Sequence, residues 1–233
     1  QFQVLSEHSA GVLRGYGIPD KKIRVVPLTL PLEYDLEGEE TTLDLGEDAL
    51  FFAGWLNDRK GVHVAIGAMP HILERHPAAR LYVAGGRAKF ASEYEAGFER
   101  FLREHKLEGH VVFLGHLSPT QVRTYLESAK VLLLPEQYEN MSPLVMVEAM
   151  LLGTPVVASR VGGIPEYIAE GATGFLADPR SPEEFAGHAV RLLEDAALRS
   201  RVADAARLAI AQRNSNERIW EQTHAAYAEL AAV

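Results

Sequence analysis

The chain has 233 residues, 47% of them apolar, no cysteine and a formal charge of −9. That length and apolar content suffice for a large core, in one big domain or two small ones. The acidic balance argues against a nucleic-acid binder, which needs a basic stripe, and the lack of cysteine excludes disulfide frameworks, zinc–thiolate sites and thiol catalysis.

The chain opens at Gln1 in strand-like character, as a fragment or a processed chain does. FQVLSEHSAGVLRGYGIPDKKIRVVP then reads as strand, helix, turn and strand, with Gly17 where the helix should stop. Between Leu28 and Asp48 stand Pro31, Gly38, a Thr pair and eight acidic residues, with little periodicity. Residues 1–30 are therefore expected to close one α/β domain, 31–48 to be an acidic linker, and 49–233 to form a second domain.

From residue 49 short runs that are apolar throughout alternate with amphipathic runs. Strands are expected at Ala49–Ala53, Leu81–Ala84, Val111–Leu114, Val131–Leu134 and Val156–Ala158, each with the composition of a strand covered on both faces. Helices are expected at 62–76, 91–105, 119–128 and 143–152, and two or three more from Ser181 onward. The alternation implies an α/β fold, a doubly wound parallel sheet of Rossmann-like type with a helical C-terminal segment. Ser118-Pro119 and Ser181-Pro182 carry serine at N-cap and proline at N1, with Gln121 and Glu184 at N3. No apolar run reaches the roughly 18–20 residues of a membrane span and no signal peptide is visible, so a cytoplasmic location is expected. The histidines form no HExxH or His-x-His pair, so no metal site is expected.

The helix expected at 143–152 carries one charge. Glu148 stands among Leu144, Val145, Met146, Val147, Ala149, Met150, Leu151 and Leu152, which leave it no polar face. Burying an unpaired carboxylate costs several kcal/mol, so Glu148 needs a partner, and a bound ligand is one candidate. With Ser142 as N-cap and Pro143 at N1, the first free amides belong to Leu144 and Val145. A helix N-terminus at the carboxyl end of a parallel strand is an anion site. A phosphate there would put a ribose hydroxyl within reach of Glu148, which points to a nucleotide diphosphate. An ordinary capped core helix with Glu148 paired to an arginine fits the same spacing.

A second candidate is the loop from Gly54 to Gly61, where Arg59 and Lys60 follow a central strand. A guanidinium fork and an ammonium both neutralise phosphate oxygens. Gly85 and Gly86 follow the next strand and let a ligand approach the backbone. Plain strand-to-helix turn chemistry accounts for either loop taken alone; their shared sheet edge joins them.

FAGWLNDRKG, LYVAGG, VVFLGHLSPTQVRTYLESAKVLLLPEQYEN and SPLVMVEAMLLGTPVVASRVGGIPEYIAEGATGFLADP follow in order through residues 49–233. This order resembles the carboxyl-terminal half of a retaining family 4 glycosyltransferase of the GT-B architecture, and residues 1–28 resemble the segment leading out of that family's acceptor-binding domain. The resemblance implies a nucleotide-diphosphate sugar, a UDP- or GDP-sugar, as donor, no metal or other cofactor, and a carbohydrate or other hydroxyl acceptor held by an amino-terminal domain. It assigns Glu148 to the ribose, the amides of Leu144 and Val145 and the Lys60 ammonium to the diphosphate, and His116 and Leu117 to the base. Gly162, Gly163 and Glu166 would shape the adjoining loop.

The chain departs from the family twice. Eight residues before Glu148, where a sugar-binding glutamate is usual, stands Asn140, with Glu139 displaced by one. Either the loop carries an extra residue and Glu139 meets the sugar, or Asn140 binds it as an amide. The usual phosphate arginine after the loop glycine is Trp55; either Arg59 replaces its charge or the diphosphate rests on Lys60 and the helix. Two other functions compete with the enzyme: a non-catalytic nucleotide-binding or interaction module that pairs with another chain, and a nucleotide-sugar epimerase of related build.

Overall fold

The computed structural model of the protein describes residues 1–29, 42–86 and 92–231. Strand β1 (Phe2–Val4), helix α1 (Glu7–Gly15) and strand β2 (Ile23–Val25) follow one another at the start, and the two strands pair in parallel as a sheet of their own. This is the strand, helix, turn and strand expected there. Most of the expected acidic linker, residues 31–48, falls outside the described residues.

The second sheet holds six parallel strands: β3 (Ala49–Ala53), β4 (Arg80–Ala84), β5 (Val111–Gly115), β6 (Val131–Leu134), β7 (Val156–Ser159) and β8 (Phe175–Ala177), ordered β5-β4-β3-β6-β7-β8. Five were expected. The sixth, β8, is three residues long behind the glycine-rich turn Gly171–Gly174, too short for an apolar run to announce it. Between the strands lie α2 (Val62–Leu73), α3 (Ser92–Glu104), α4 (Pro119–Ser128) and α5 (Leu144–Leu152), followed by α6 (Pro182–Glu194), α7 (Ala196–Arg213) and α8 (Asn216–Ala231). Three C-terminal helices are thus present.

The all-apolar strands are explained by two cores, one on each face of the sheet. Leu50 and Phe52 of β3 point into one, with Val131 and Leu133 of β6 and the inner faces of α2 and α6. Ala49 and Phe51 point into the other, with Leu132 and Leu134 and the inner faces of α4 and α5. Successive side chains thus serve opposite cores, as the period of two requires. Each buried Leu or Phe contributes roughly 1.5–3 kcal/mol of transfer free energy.

Chain order runs outward from β3 through β4 to β5, then returns to start again at β6 beside β3. The strand order therefore reverses between β3 and β6. In open parallel sheets a crevice opens at the carboxyl ends of the strands at such a point.

Candidate functional site

Two loops meet in that crevice. After β3, the Asn57 side chain caps a 3₁₀ turn, Asp58–Lys60, by accepting the Lys60 amide at 3.0 Å. Gly61 then takes a left-handed φ of 68°, and a Cβ there would lie 1.8 Å from the Pro135 carbonyl oxygen. Only glycine admits both the conformation and the approach. The loop after β6 is held alongside, the Gln137 amide donating to the Arg59 carbonyl at 2.9 Å.

This lacing brings Lys60 to Glu136. Lys60 Nζ donates to Glu136 Oε1 at 2.6 Å, and Asn140 Nδ2 donates to the same oxygen at 3.1 Å. The Glu136 residue is only 4% exposed. Asn140 Oδ1 in turn accepts the Ser142 amide at 3.2 Å, so both ends of the Asn140 amide group are engaged. Gly162 braces the loop from behind, since a Cβ on it would come within 2.5 Å of the Asn140 carbonyl oxygen.

A cavity of about 370 Å³ opens over these groups, lined by Trp55, Arg59, Lys60, Glu136, Glu139 and Asn140 among others. Four predicted residues, Arg59, Lys60, Glu139 and Asn140, are therefore brought together. The Glu139 side chain is 70% exposed and lies 3.1 Å from His8 Nε2. Arg59 sets its guanidinium 5.5 Å from the centre of the Tyr138 ring, a cation–π distance.

The start of α5 differs from the expectation. Ser142 is not its N-cap and Pro143 is not its first helical residue. Pro143, with ψ of 117°, occupies the cap position without a side-chain cap bond, and the helix begins at Leu144. The Ser142 hydroxyl donates instead to the Tyr167 hydroxyl at 2.8 Å. Ser118 and Ser181, with the same Ser-Pro signature, do cap their helices; what distinguishes Ser142 is a buried partner 25 residues away. The first bonded amides of α5 are those of Met146 and Val147, which donate to the Pro143 carbonyl at 3.0 and 3.4 Å. Those of Leu144 and Val145 lie ahead of that turn, at the positive end of the helix. Glu148 is 8% exposed on the same helix, buried as its apolar neighbours required.

A second cavity, of about 640 Å³, lies beyond β3 at the ends of β4 and β5, lined by Leu56, Gly86, Phe98, Phe113 and His116 among others. Gly86 and His116 thus meet. Leu117 does not join them; it packs against the core under α4 and α5. Gly54 lines neither cavity; its amide donates to the Ala84 carbonyl at 3.0 Å, and a Cβ on it would contact the aliphatic stem of Lys60.

Sequence reasoning missed Glu136, because nothing but the strand order puts the residue after β6 next to Lys60. It also missed the roles of Glu166 and His8. The Glu166 carboxylate accepts the first two amides of α1, those of Glu7 and His8, at 3.0 and 2.8 Å, beside the Ser6 N-cap, and takes Arg213 at 3.3 Å. Among the described residues no group of three or more His, Asp or Glu could hold a metal ion, and no helix is long and apolar enough to cross a membrane.

Residues 35–209 match the family described as glycosyl transferases group 1. The glycogen synthase of Mycobacterium tuberculosis is 33% identical over 185 residues, 79% of this chain and 42% of that protein. The fold is that of HepE from Anabaena, solved in complex with UDP, with a TM-score of 0.85 at 19% identity over 99% of this chain and 63% of that one. It is also that of the C-terminal domain of a group 1 glycosyl transferase, LpcC, from Francisella tularensis, with a TM-score of 0.68 at 20% identity over 73% of this chain and 88% of that domain. The chain spans less than half the length of the glycogen synthase it matches. A doubly wound sheet with its crevice at the strand reversal, and a family match over most of the chain, lead to one conclusion: the chain belongs to the group 1 glycosyl transferases and has the Rossmann-like layout of their GT-B fold.

Proposed function

We propose that this chain supplies the donor-binding half of a retaining glycosyltransferase whose donor is a nucleotide-diphosphate sugar. The observation that supports the reading is the shared sheet edge: Lys60, in the loop after β3, and the leading amides of α5, which follows the loop after β6, both stand where the strand order reverses. The diphosphate would lie between the Lys60 ammonium and the amides of Leu144 and Val145, with Arg59 at the outer side. Glu148, one helical turn on, would accept the ribose hydroxyls. The base would enter the cavity of Gly86 and His116, passing Gly54. UDP, the ligand of the HepE structure, heads the candidates, with GDP beside it.

For the sugar, the reading favours Glu139. Its carboxylate is open to the cavity, whereas the Asn140 amide group is spent on Glu136 and Ser142. The acceptor, a carbohydrate or another hydroxyl compound, would be held by an amino-terminal domain, of which residues 1–30 form the end. In the transfer the bond from the anomeric carbon to the diphosphate oxygen breaks and a bond to the acceptor oxygen forms on the same face. The acceptor proton goes to the departing phosphate. Lys60 and the helix amides would stabilise the charge developing on that phosphate, which is the interaction that lowers the barrier.

A thermal-shift screen of UDP- and GDP-sugars tests the reading. A binding donor raises Tm, because ligand that binds only the folded state stabilises it. If every sugar nucleotide leaves Tm unchanged at millimolar concentration, the reading fails.

A further inference from the structure

We propose that Glu136 is a positioning residue that sets the site against the spent nucleoside diphosphate and so favours its release over that of the sugar nucleotide. The inference rests on the donor-site reading above. Glu136 is buried, and through one oxygen it holds both Lys60 Nζ and Asn140 Nδ2. It is therefore a buried negative charge in direct contact with the ammonium, and both line the cavity. Burial matters here, because a charge shielded from solvent is weakly screened and acts over several ångströms.

Substrate and product differ in charge at the atom nearest this pair. In a sugar nucleotide each phosphate has one ester and one anhydride link and carries one negative charge. When the bond to the anomeric carbon breaks, the terminal phosphate keeps only its anhydride link; its second ionisation, like that of a phosphomonoester, falls near pH 6, and it gains most of another charge at neutral pH. That charge develops on the phosphate placed at Lys60. Glu136 repels both ligands, and the product more. Without Glu136, Lys60 and Arg59 together with the helix amides would form a strongly cationic trap for a phosphate dianion. With Glu136 and Glu139 present, the four ionic side chains that line the cavity sum to zero. Glu136 also fixes Lys60 in place, so the ammonium needs no ordering when donor arrives. A site that must bind a doubly substituted terminal phosphate and shed a singly substituted one gains from this arrangement at the release step, which limits turnover in many enzymes.

Calorimetric titration of the native chain and of Glu136→Gln tests the proposal. The amide keeps an oxygen acceptor for Lys60 and Asn140 while removing the charge. UDP-glucose and UDP are the probes, with GDP-mannose and GDP run in parallel. UDP β-methyl ester, which has the charge of the sugar nucleotide and no sugar, is the third ligand. In Glu136→Gln the affinity for UDP should rise about tenfold, and that for UDP-glucose by about threefold or less. In the native chain the methyl ester should bind more tightly than UDP, a comparison that stands even if the variant does not fold. Equal shifts for both ligands, or a native chain that prefers UDP to its methyl ester, would overturn the role of Glu136. If no member of either series binds the native chain, the donor-site reading itself falls, and the proposal with it.

Discussion

Lys60 and Glu136 are 76 residues apart in the chain, yet their 2.6 Å ion pair joins the loops after β3 and β6. The pair thus spans the place where the strand order reverses. Lys60→Ala would leave the buried Glu136 carboxylate with Asn140 as its remaining bonded side chain. Stranding a buried charge costs about 1–3 kcal/mol or more, a fall in Tm of roughly 2–4 °C per kcal/mol for a chain of this size. The double variant Lys60→Ala/Glu136→Gln should recover most of that loss in thermal denaturation. Recovery of none of it would mean that the pair is energetically idle.

Glu139 and Asn140 should separate cleanly. Glu139→Ala is expected to lower affinity for a sugar nucleotide about tenfold while leaving the nucleoside diphosphate and Tm unchanged. Asn140→Ala should lower Tm, because Glu136 and the Ser142 amide both lose a partner. The reverse pattern would return the sugar to Asn140.

Glu166 ties the amino-terminal segment to the site through the amides of Glu7 and His8 and through Arg213. Glu166→Ala removes the acceptor of two first-turn amides and an ion-pair partner at once, with an expected cost of about 1–2 kcal/mol. Hydrogen exchange should accelerate in the first turn of α1 while β3 to β7 keep their protection. Uniform acceleration throughout would show that the segment and the six-stranded sheet open as one unit.

The ribose assignment of Glu148 is tested by pairing a protein change with a ligand change. Glu148→Gln should weaken a binding ribonucleotide about tenfold. The 2′-deoxy and 3′-deoxy analogues should bind the native chain weakly, and the analogue missing the contacted hydroxyl should lose little more in the variant. Additive losses for both analogues would assign Glu148 to the core alone.

Five strands of the large sheet were legible from residue 49 onward because each is an apolar run; β3, β4, β6 and β7 are apolar because both faces are buried, whereas the edge strand β5 stays apolar with Phe113 42% exposed. Helix starts were legible where the capping bond is local, as at Ser118 and Ser181. At Ser142 the same Ser-Pro signature misled, since a tyrosine from a distant turn takes the hydroxyl. Arg59, Lys60, Glu139 and Asn140 could be picked out by residue type and family resemblance. Glu136 could not, because it becomes part of the site only when β6 lies beside β3, and strand order leaves no mark on local composition. Leu117, one residue past His116 in the chain, packs against the core and does not line the cavity with it, a difference that adjacency in sequence does not show.

The central claim is that Lys60 meets the diphosphate of a sugar nucleotide. It is tested most directly by calorimetric titration of UDP-glucose and GDP-mannose into the native chain and into Lys60→Ala/Glu136→Gln, the variant that strands no buried charge. One of the two ligands should bind the native chain, with affinity at least about tenfold lower in the variant. Equal affinity for both chains, or no binding to the native one, would contradict it.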